Sequence, residues 1–258
     1  GGLGSGDNPF SFYCVAILFI TFTRFVLRKR PMYLVFSVIL VVWIALTVTR
    51  VAALASVVGL GVIGLLATYA TGHRKLFFIT ATVVGVAGLA FAPNVLQRSL
   101  GFVPTAHELF QIVRNPVVLY NAINWQGRQL LWAIAWAAFM ASPLFGLGMG
   151  SSAAVIRESF PDQDVKVVHN EYLRLAVDTG LIGVALFAVS IITWLVAAIR
   201  LSRNGDNFVR ELAFPAVAGI VAWGLISITD NPFDYYAPFT QYVAFLVAGA
   251  VAAQESSS

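Results

Sequence analysis

Charge is scarce in this chain. Asp, Glu, Lys and Arg make up 11% of its 258 residues and 59% are apolar, whereas a soluble domain is roughly 25% charged. A water-soluble chain needs more polar groups than that to cover its surface, which excludes an ordinary soluble enzyme or binding domain. Cysteine is scarcer still. Cys14 is the only one and sits in an apolar run, so a disulfide within the chain is impossible and cysteine usage says nothing about compartment. His73, His107 and His169 lie far apart without cysteine partners, which leaves no zinc spacing. The first residue is not Met and no basic stretch precedes the first apolar run. No signal peptide is therefore expected, and the chain reads as part of a longer one. The net charge of +4 is no nucleic-acid stripe: the basic residues fall in short clusters between apolar runs, which is a membrane pattern.

What the chain has in quantity is long apolar runs. A membrane-crossing helix needs roughly 17–25 mostly apolar residues, and seven runs qualify: Phe10–Leu27, Met32–Val48, Val51–Tyr69, Leu76–Ala92, Leu181–Ile199, Leu212–Ile228 and Tyr236–Ala253. The expected fold class is all-α, a polytopic transmembrane helix bundle of about seven spans with a partly helical outer loop. Residues 1–92 would hold four spans, 93–180 the outer loop, and 181–258 three spans and a short tail. Arg28-Lys29-Arg30, His73-Arg74-Lys75 and Arg200, Arg203 and Arg210 follow the first, third and fifth runs. Alternation puts all three clusters on one side, which the positive-inside rule assigns to the cytoplasm. Arg50, the 93–180 loop and the segment from Asp230 to Tyr236 then face outward.

The loop has internal order. Trp125, Trp132 and Trp136 mark an interfacial helix over Trp125–Met140, whose apolar core, Leu130–Met140, is too short to span. Pro143-Leu144-Phe145-Gly146-Leu147-Gly148-Met149-Gly150 follows. Its glycines invite a phosphate-loop reading, but no strand precedes them and no Gly-Lys-Ser/Thr follows, so a tight loop at the membrane surface is expected.

Ionisable groups are rare inside the spans, where a charge is costly. Arg24 can snorkel to its basic cluster. No mid-span carboxylate or histidine suggests a proton relay. The remaining charges gather at the outer edge: Arg50, Arg128, His169, Glu171, Arg174 and Asp178. Arg50 separates two spans with almost no loop, which suits an interfacial anchor or a fixed guanidinium for an anionic head group, since the planar fork binds phosphate through two parallel bonds. Arg128 opens the Trp-bearing helix, where a cation opposes the macrodipole. With a helix starting near Asn170, Glu171, Arg174 and Asp178 share one stripe, in register for Glu171–Arg174 and Arg174–Asp178 pairs. His169 stands just before that helix, and an imidazole titrates close to neutrality, as a proton acceptor should.

Together these elements resemble the O-antigen ligase and O-antigen polymerase superfamily of bacterial envelopes. The matching features are Thr49-Arg50 at a span boundary, Gly127-Arg128 opening the helix before Pro143-Leu144-Phe145-Gly146-Leu147-Gly148-Met149-Gly150, and His169-Asn170-Glu171-Tyr172-Leu173-Arg174-Leu175-Ala176-Val177-Asp178-Thr179-Gly180-Leu181-Ile182-Gly183. Members commonly carry Glu where Asp178 stands, and they have more spans, so the chain corresponds to a C-terminal part.

The resemblance implies a membrane glycosyltransferase. It would move a glycan from a polyprenyl-diphosphate donor to an acceptor hydroxyl on another glycan or on a lipid A core. The reaction would invert the anomeric centre and need no metal or other cofactor, at the periplasmic face of the bacterial inner membrane. It further implies that Arg50 and Arg128 hold the diphosphate and that His169 takes the proton, with Asn170, Glu171 and Arg174 orienting histidine or acceptor. Membrane lipid is the other partner, and nucleic acid is not one. The competing class is a transporter of a small anion or glycolipid. Transporters bind at the midplane through broken helices, whereas these charges crowd the outer edge.

Overall fold

The structure, a computed structural model, describes residues 7–47, 49–72, 104–115, 128–161, 167–233 and 239–257, with isolated positions between 82 and 118. The expected span Leu76–Ala92 falls largely outside them, as do His73-Arg74-Lys75 and Trp125. Among the described residues the chain is helical, without strands. In order the helices are α1 (Asp7–Arg28), α2 (Pro31–Thr47), α3 (Arg50–Thr71), α4 (Ala106–Arg114), α5 (Arg128–Ala141), α6 (Ser151–Ser159), α7 (Glu171–Asn204), α8 (Asn207–Thr229) and α9 (Phe239–Ser257). Four are long and apolar enough to cross a membrane, over Phe10–Arg28, Arg50–Ala70, Glu171–Asn204 and Asn207–Thr229; Pro31–Thr47 is apolar but shorter.

Helix α8 is the hub, packing on α1, α3, α7 and α9. From Ala213 to Ile220 every residue is buried, as a helix apolar all round should be when neighbours surround it. Pro215 lies inside it, which packed neighbours make tolerable in a span. The core joins Phe12, Phe19 and Phe22 of α1 to Ile44, Leu60, Ile63, Phe214 and Ile226. A Cβ at Gly59 would run into the Phe19 ring, so glycine there makes the room that the phenyl group fills, as small residues do where membrane helices approach.

Paired contacts define two ends of the bundle. At one, both guanidinium nitrogens Nε and Nη2 of Arg28 donate to Glu211 at the start of α8, the latter at 2.9 Å, and Arg24 joins them at 3.5 Å. Arg24 thus has a carboxylate at hand. At this end too, Arg203 lies over the Tyr69 ring, 4.9 Å from its centroid, and Arg210 donates to the Arg203 carbonyl. At the other end, Ser11 of α1 donates to Thr47 at 2.8 Å and shares a 3.0 Å hydrogen bond with Thr49, just ahead of Arg50. There Tyr172, near the start of α7, donates to the Gly224 carbonyl of α8 at 2.9 Å.

Glu211 is 5% exposed while its arginines are nearly half in solvent, so the acid is the member that cannot do without the pair. Glu211→Ala is expected to lower the unfolding free energy by about 1.5–3 kcal/mol, the range for hydrogen bonds to charged groups, read as a fall in thermal midpoint of the detergent-solubilised protein. An unchanged midpoint would show that α1 and α8 are held by apolar packing alone.

Helix α4 starts on a capping box. Thr105 accepts from the Glu108 amide at 3.3 Å, and its own N–H and hydroxyl each donate to the Glu108 carboxylate at 2.8 Å. Those two donors hold the Glu108 carboxyl below its ordinary range.

Candidate functional site

The end of the bundle that holds Thr49 and Tyr172 is built around a break in α7. Gly180 has φ 65° and ψ −172° inside that helix, a conformation open essentially to glycine. The break separates the polar stretch 171–179 from the apolar span beyond it. It also frees backbone groups that must find partners, and the loop after α5 supplies all four bonds. Leu147 and Gly148 donate to the carbonyls of Val177 and Asp178 at 2.8 and 3.1 Å, and Leu181 and Ile182 donate to those of Pro143 and Leu144 at 2.8 and 3.2 Å. A Cβ on Gly146 would meet the Thr179 amide nitrogen at 2.5 Å, and one on Gly180 would overlap the Leu144 carbonyl. The glycine-rich run is thus a latch into a broken helix, not a phosphate cradle.

The latch places α5 and α6 against the polar half of α7, around a second small core of Leu131, Ala135, Phe139, Ile156, Val168 and Val177. Asp178 reaches across to α6, whose first turn has spare N–H groups. Its Oδ1 accepts from the Ser152 amide at 2.8 Å and the Ser151 hydroxyl at 3.2 Å.

The expected stripe on α7 forms, but inside the protein. Asn170 caps the helix by accepting from the Leu173 amide at 2.9 Å. Arg174 donates through Nε to Glu171 at 2.7 Å, places a second nitrogen on the same oxygen, and lies 3.6 Å from Asp178 Oδ2. Its guanidinium also sits over the Phe233 ring, 5.8 Å from the centroid. Glu171 is fully buried, and its other oxygen accepts from Asn231 Nδ2 and the Phe233 amide, each at 3.4 Å. This is an internal brace joining α6, α7 and the turn after α8. Arg174 and Glu171 are committed to it.

His169 precedes α7 with φ 55°, the left-handed turn that swings the chain into the helix. Its side chain is one-third exposed, and Nδ1 faces Asp230 Oδ1 at 3.5 Å. Asp230, at the end of α8, is 4% exposed and also accepts from the Asn231 amide at 3.0 Å. Neither Asp230 nor Asn231 stands out in the sequence as a partner of His169 or Glu171. The only signal is that two polar residues end an apolar run.

Arg128 is the first residue of α5, one turn before Trp132, whose indole N–H donates to the Val168 and His169 carbonyls at 3.1 and 3.3 Å. Residues four apart share a helix face, so Arg128 lies on the face of α5 that carries the Trp132 contact to the His169 backbone. Among the described residues Arg128 has no carboxylate partner, in contrast to Arg174. Arg50 opens α3 at the same end of the bundle, and α3 also packs on α7.

None of the curated proteins compared with the chain matches it. The sequence profile of the O-antigen ligase family matches residues 34–188, more than half of the chain, and the matched segment contains Arg50, Arg128 and the whole stretch from His169 to Gly180 but not Asp230. The helical bundle with spans, and a polar constellation gathered at one end of it, agree with that match. The chain therefore belongs to the O-antigen ligase family, membrane proteins of lipopolysaccharide biosynthesis that act on lipid-linked glycans and glycan acceptors.

Proposed function

We propose that the protein transfers a glycan from a polyprenyl-diphosphate donor to a sugar hydroxyl of an acceptor glycan or lipid A core, at the periplasmic face of the bacterial inner membrane. The observation that carries this reading is the His169–Asp230 pair: an imidazole one-third exposed and backed by a buried carboxylate, at the end of the bundle where Arg128 has no carboxylate partner among the described residues. The orientation is supported by the opposite end, where Arg28, Lys29, Arg30, Arg200, Arg203 and Arg210 collect, as the positive-inside rule expects of a cytoplasmic side.

In this mechanism Asp230 accepts from Nδ1–H and so leaves Nε2 as the basic nitrogen. The acceptor oxygen attacks the anomeric carbon as its proton passes to Nε2, and the carbon–oxygen bond to the diphosphate breaks with inversion. Charge develops on the leaving polyprenyl diphosphate. Arg50 and Arg128 meet it there, where fixed donors contribute most to rate, and two guanidiniums supply that compensation without a metal. Glu171 and Arg174, being braced internally, act by positioning the His169 turn and the Asp230 segment, and Asn170 acts by fixing the start of α7.

The test is product formation by purified full-length protein in lipid nanodiscs, given a defined polyprenyl-diphosphate oligosaccharide with each acceptor in turn. The expected outcome is a glycan product of inverted anomeric configuration plus free polyprenyl diphosphate, and the acceptor that works separates ligase from polymerase. Substrate flux into sealed vesicles with no glycan product would replace this reading by transport.

A further inference from the structure

The reading above leaves Trp132 without a task. A tryptophan in a helix at the membrane edge ordinarily serves as an interfacial anchor, its ring among head groups. Trp136, one turn on, has that character, being more than half exposed. Trp132 does not. Its ring packs against the core of Leu131, Ala135 and Val168, and its N–H is shared between two consecutive carbonyls, those of Val168 and His169.

Those carbonyls flank the one place where the His169 backbone is unusual. A φ of 55° at a residue with a side chain is sparsely populated and persists only where surrounding contacts impose it. From the Val168 side the turn is fixed by burial, since Val168 is 1% exposed. From the His169 side it is followed by the Asn170 cap. Asp230 reaches the His169 side chain from the end of α8, whereas the indole reaches the backbone of the turn from α5, and that helix begins with Arg128.

We propose that Trp132 is a positioning residue for glycan transfer: its indole N–H, held by the Val168 and His169 carbonyls, sets the left-handed turn that aims the imidazole and fixes its distance from Arg128. The inference rests on the role proposed above for His169. In that role the acceptor oxygen must lie between the imidazole and the donor's anomeric carbon, while the diphosphate lies on Arg128. A tether between α5 and the His169 backbone keeps these two requirements in register.

The experiment uses the full-length protein in nanodiscs with a polyprenyl-diphosphate oligosaccharide and its acceptor. It compares wild type, His169→Ala, Trp132→Phe, and a protein carrying β-(3-benzothienyl)alanine at position 132, which keeps the bicyclic ring and replaces only the N–H by sulfur. Both Trp132 substitutions are expected to lower kcat about tenfold to a hundredfold, the scale of a small misplacement of a reacting group. The KM for donor should stay within about twofold, because the contact is not with substrate. The sulfur isostere should unfold at the wild-type temperature, which keeps the test informative even if Trp132→Phe folds poorly. Full kcat in the isostere while His169→Ala is inactive would overturn the tether and leave the transfer mechanism standing. A raised KM at unchanged kcat would also overturn it, by showing an anchor or substrate contact instead. Full activity in His169→Ala would remove the underlying mechanism itself.

Discussion

His169→Ala is expected to reduce glycan transfer by at least about a hundredfold, the lower end of what a positioned general base contributes, with little change in the KM for donor. The split follows from the division of labour proposed for His169 and the two arginines. In the proposed mechanism guanidiniums hold the diphosphate, so ground-state binding should survive loss of the imidazole, whereas proton removal from the acceptor would happen only on the way to the transition state. Asp230→Asn is the companion measurement. An amide can present its N–H2 to Nδ1 and so favour the tautomer with the proton on Nε2, where it blocks the basic nitrogen. That variant should fall between wild type and His169→Ala. Near-normal turnover of His169→Ala with a lipid-linked glycan would end the proposal that this imidazole is the base, and an Asp230→Asn enzyme as fast as wild type would show that the 3.5 Å approach orients nothing.

Gly180→Ala should be the most damaging small substitution in the latch and the helices it joins. Alanine cannot easily adopt φ 65° and ψ −172°, which costs about 1–3 kcal/mol. Its methyl group would also overlap the Leu144 carbonyl, forcing apart the four-bond latch between residues 143–148 and α7. The expected result is loss of folded protein from the membrane fraction, or a thermal midpoint lowered well beyond that of Glu211→Ala. Gly61→Ala is the control. A Cβ there meets nothing within 4 Å in a helical part of α3, so the helix-propensity gain, about 0.5–1 kcal/mol, is all that remains. Equal stability of the two variants would mean that the latch is dispensable.

Much of this was legible in the residues. Apolar runs and their spacing locate α1, α2, α3 and α9 to within about four positions and the apolar parts of α7 and α8, while the polar ends of α7 and α8 extend five to ten residues beyond the runs. The stripe of Glu171, Arg174 and Asp178 is equally legible, since helix periodicity alone aligns it. Its burial is not. Exposure depends on what packs above α7, and that is set by the break at Gly180 and the loop that fills it, two segments some 35 residues apart. The same holds for Asp230 and Asn231, which meet His169 and Glu171 across about 60 residues of chain. Local pattern reports a residue's own helix well and its distant partners poorly. Glu211 illustrates the point: it sits one residue outside the apolar run that marks α8, so a reading by hydropathy passes over the acid that binds Arg24 and Arg28.

The latch is made entirely of main-chain atoms, and this has a consequence for the side chains that ride on it. Leu144, Phe145, Leu147 and Met149 are all exposed, since none is asked to grip α7. Four oily groups on a rigid mooring, beside the proposed site, would form a keel whose height in a bilayer is set by their hydrophobicity. Exchanging them for larger or smaller apolar residues is expected to leave the backbone seam intact, so the depth at which that end of the bundle rides could be retuned to a different membrane without unfastening it.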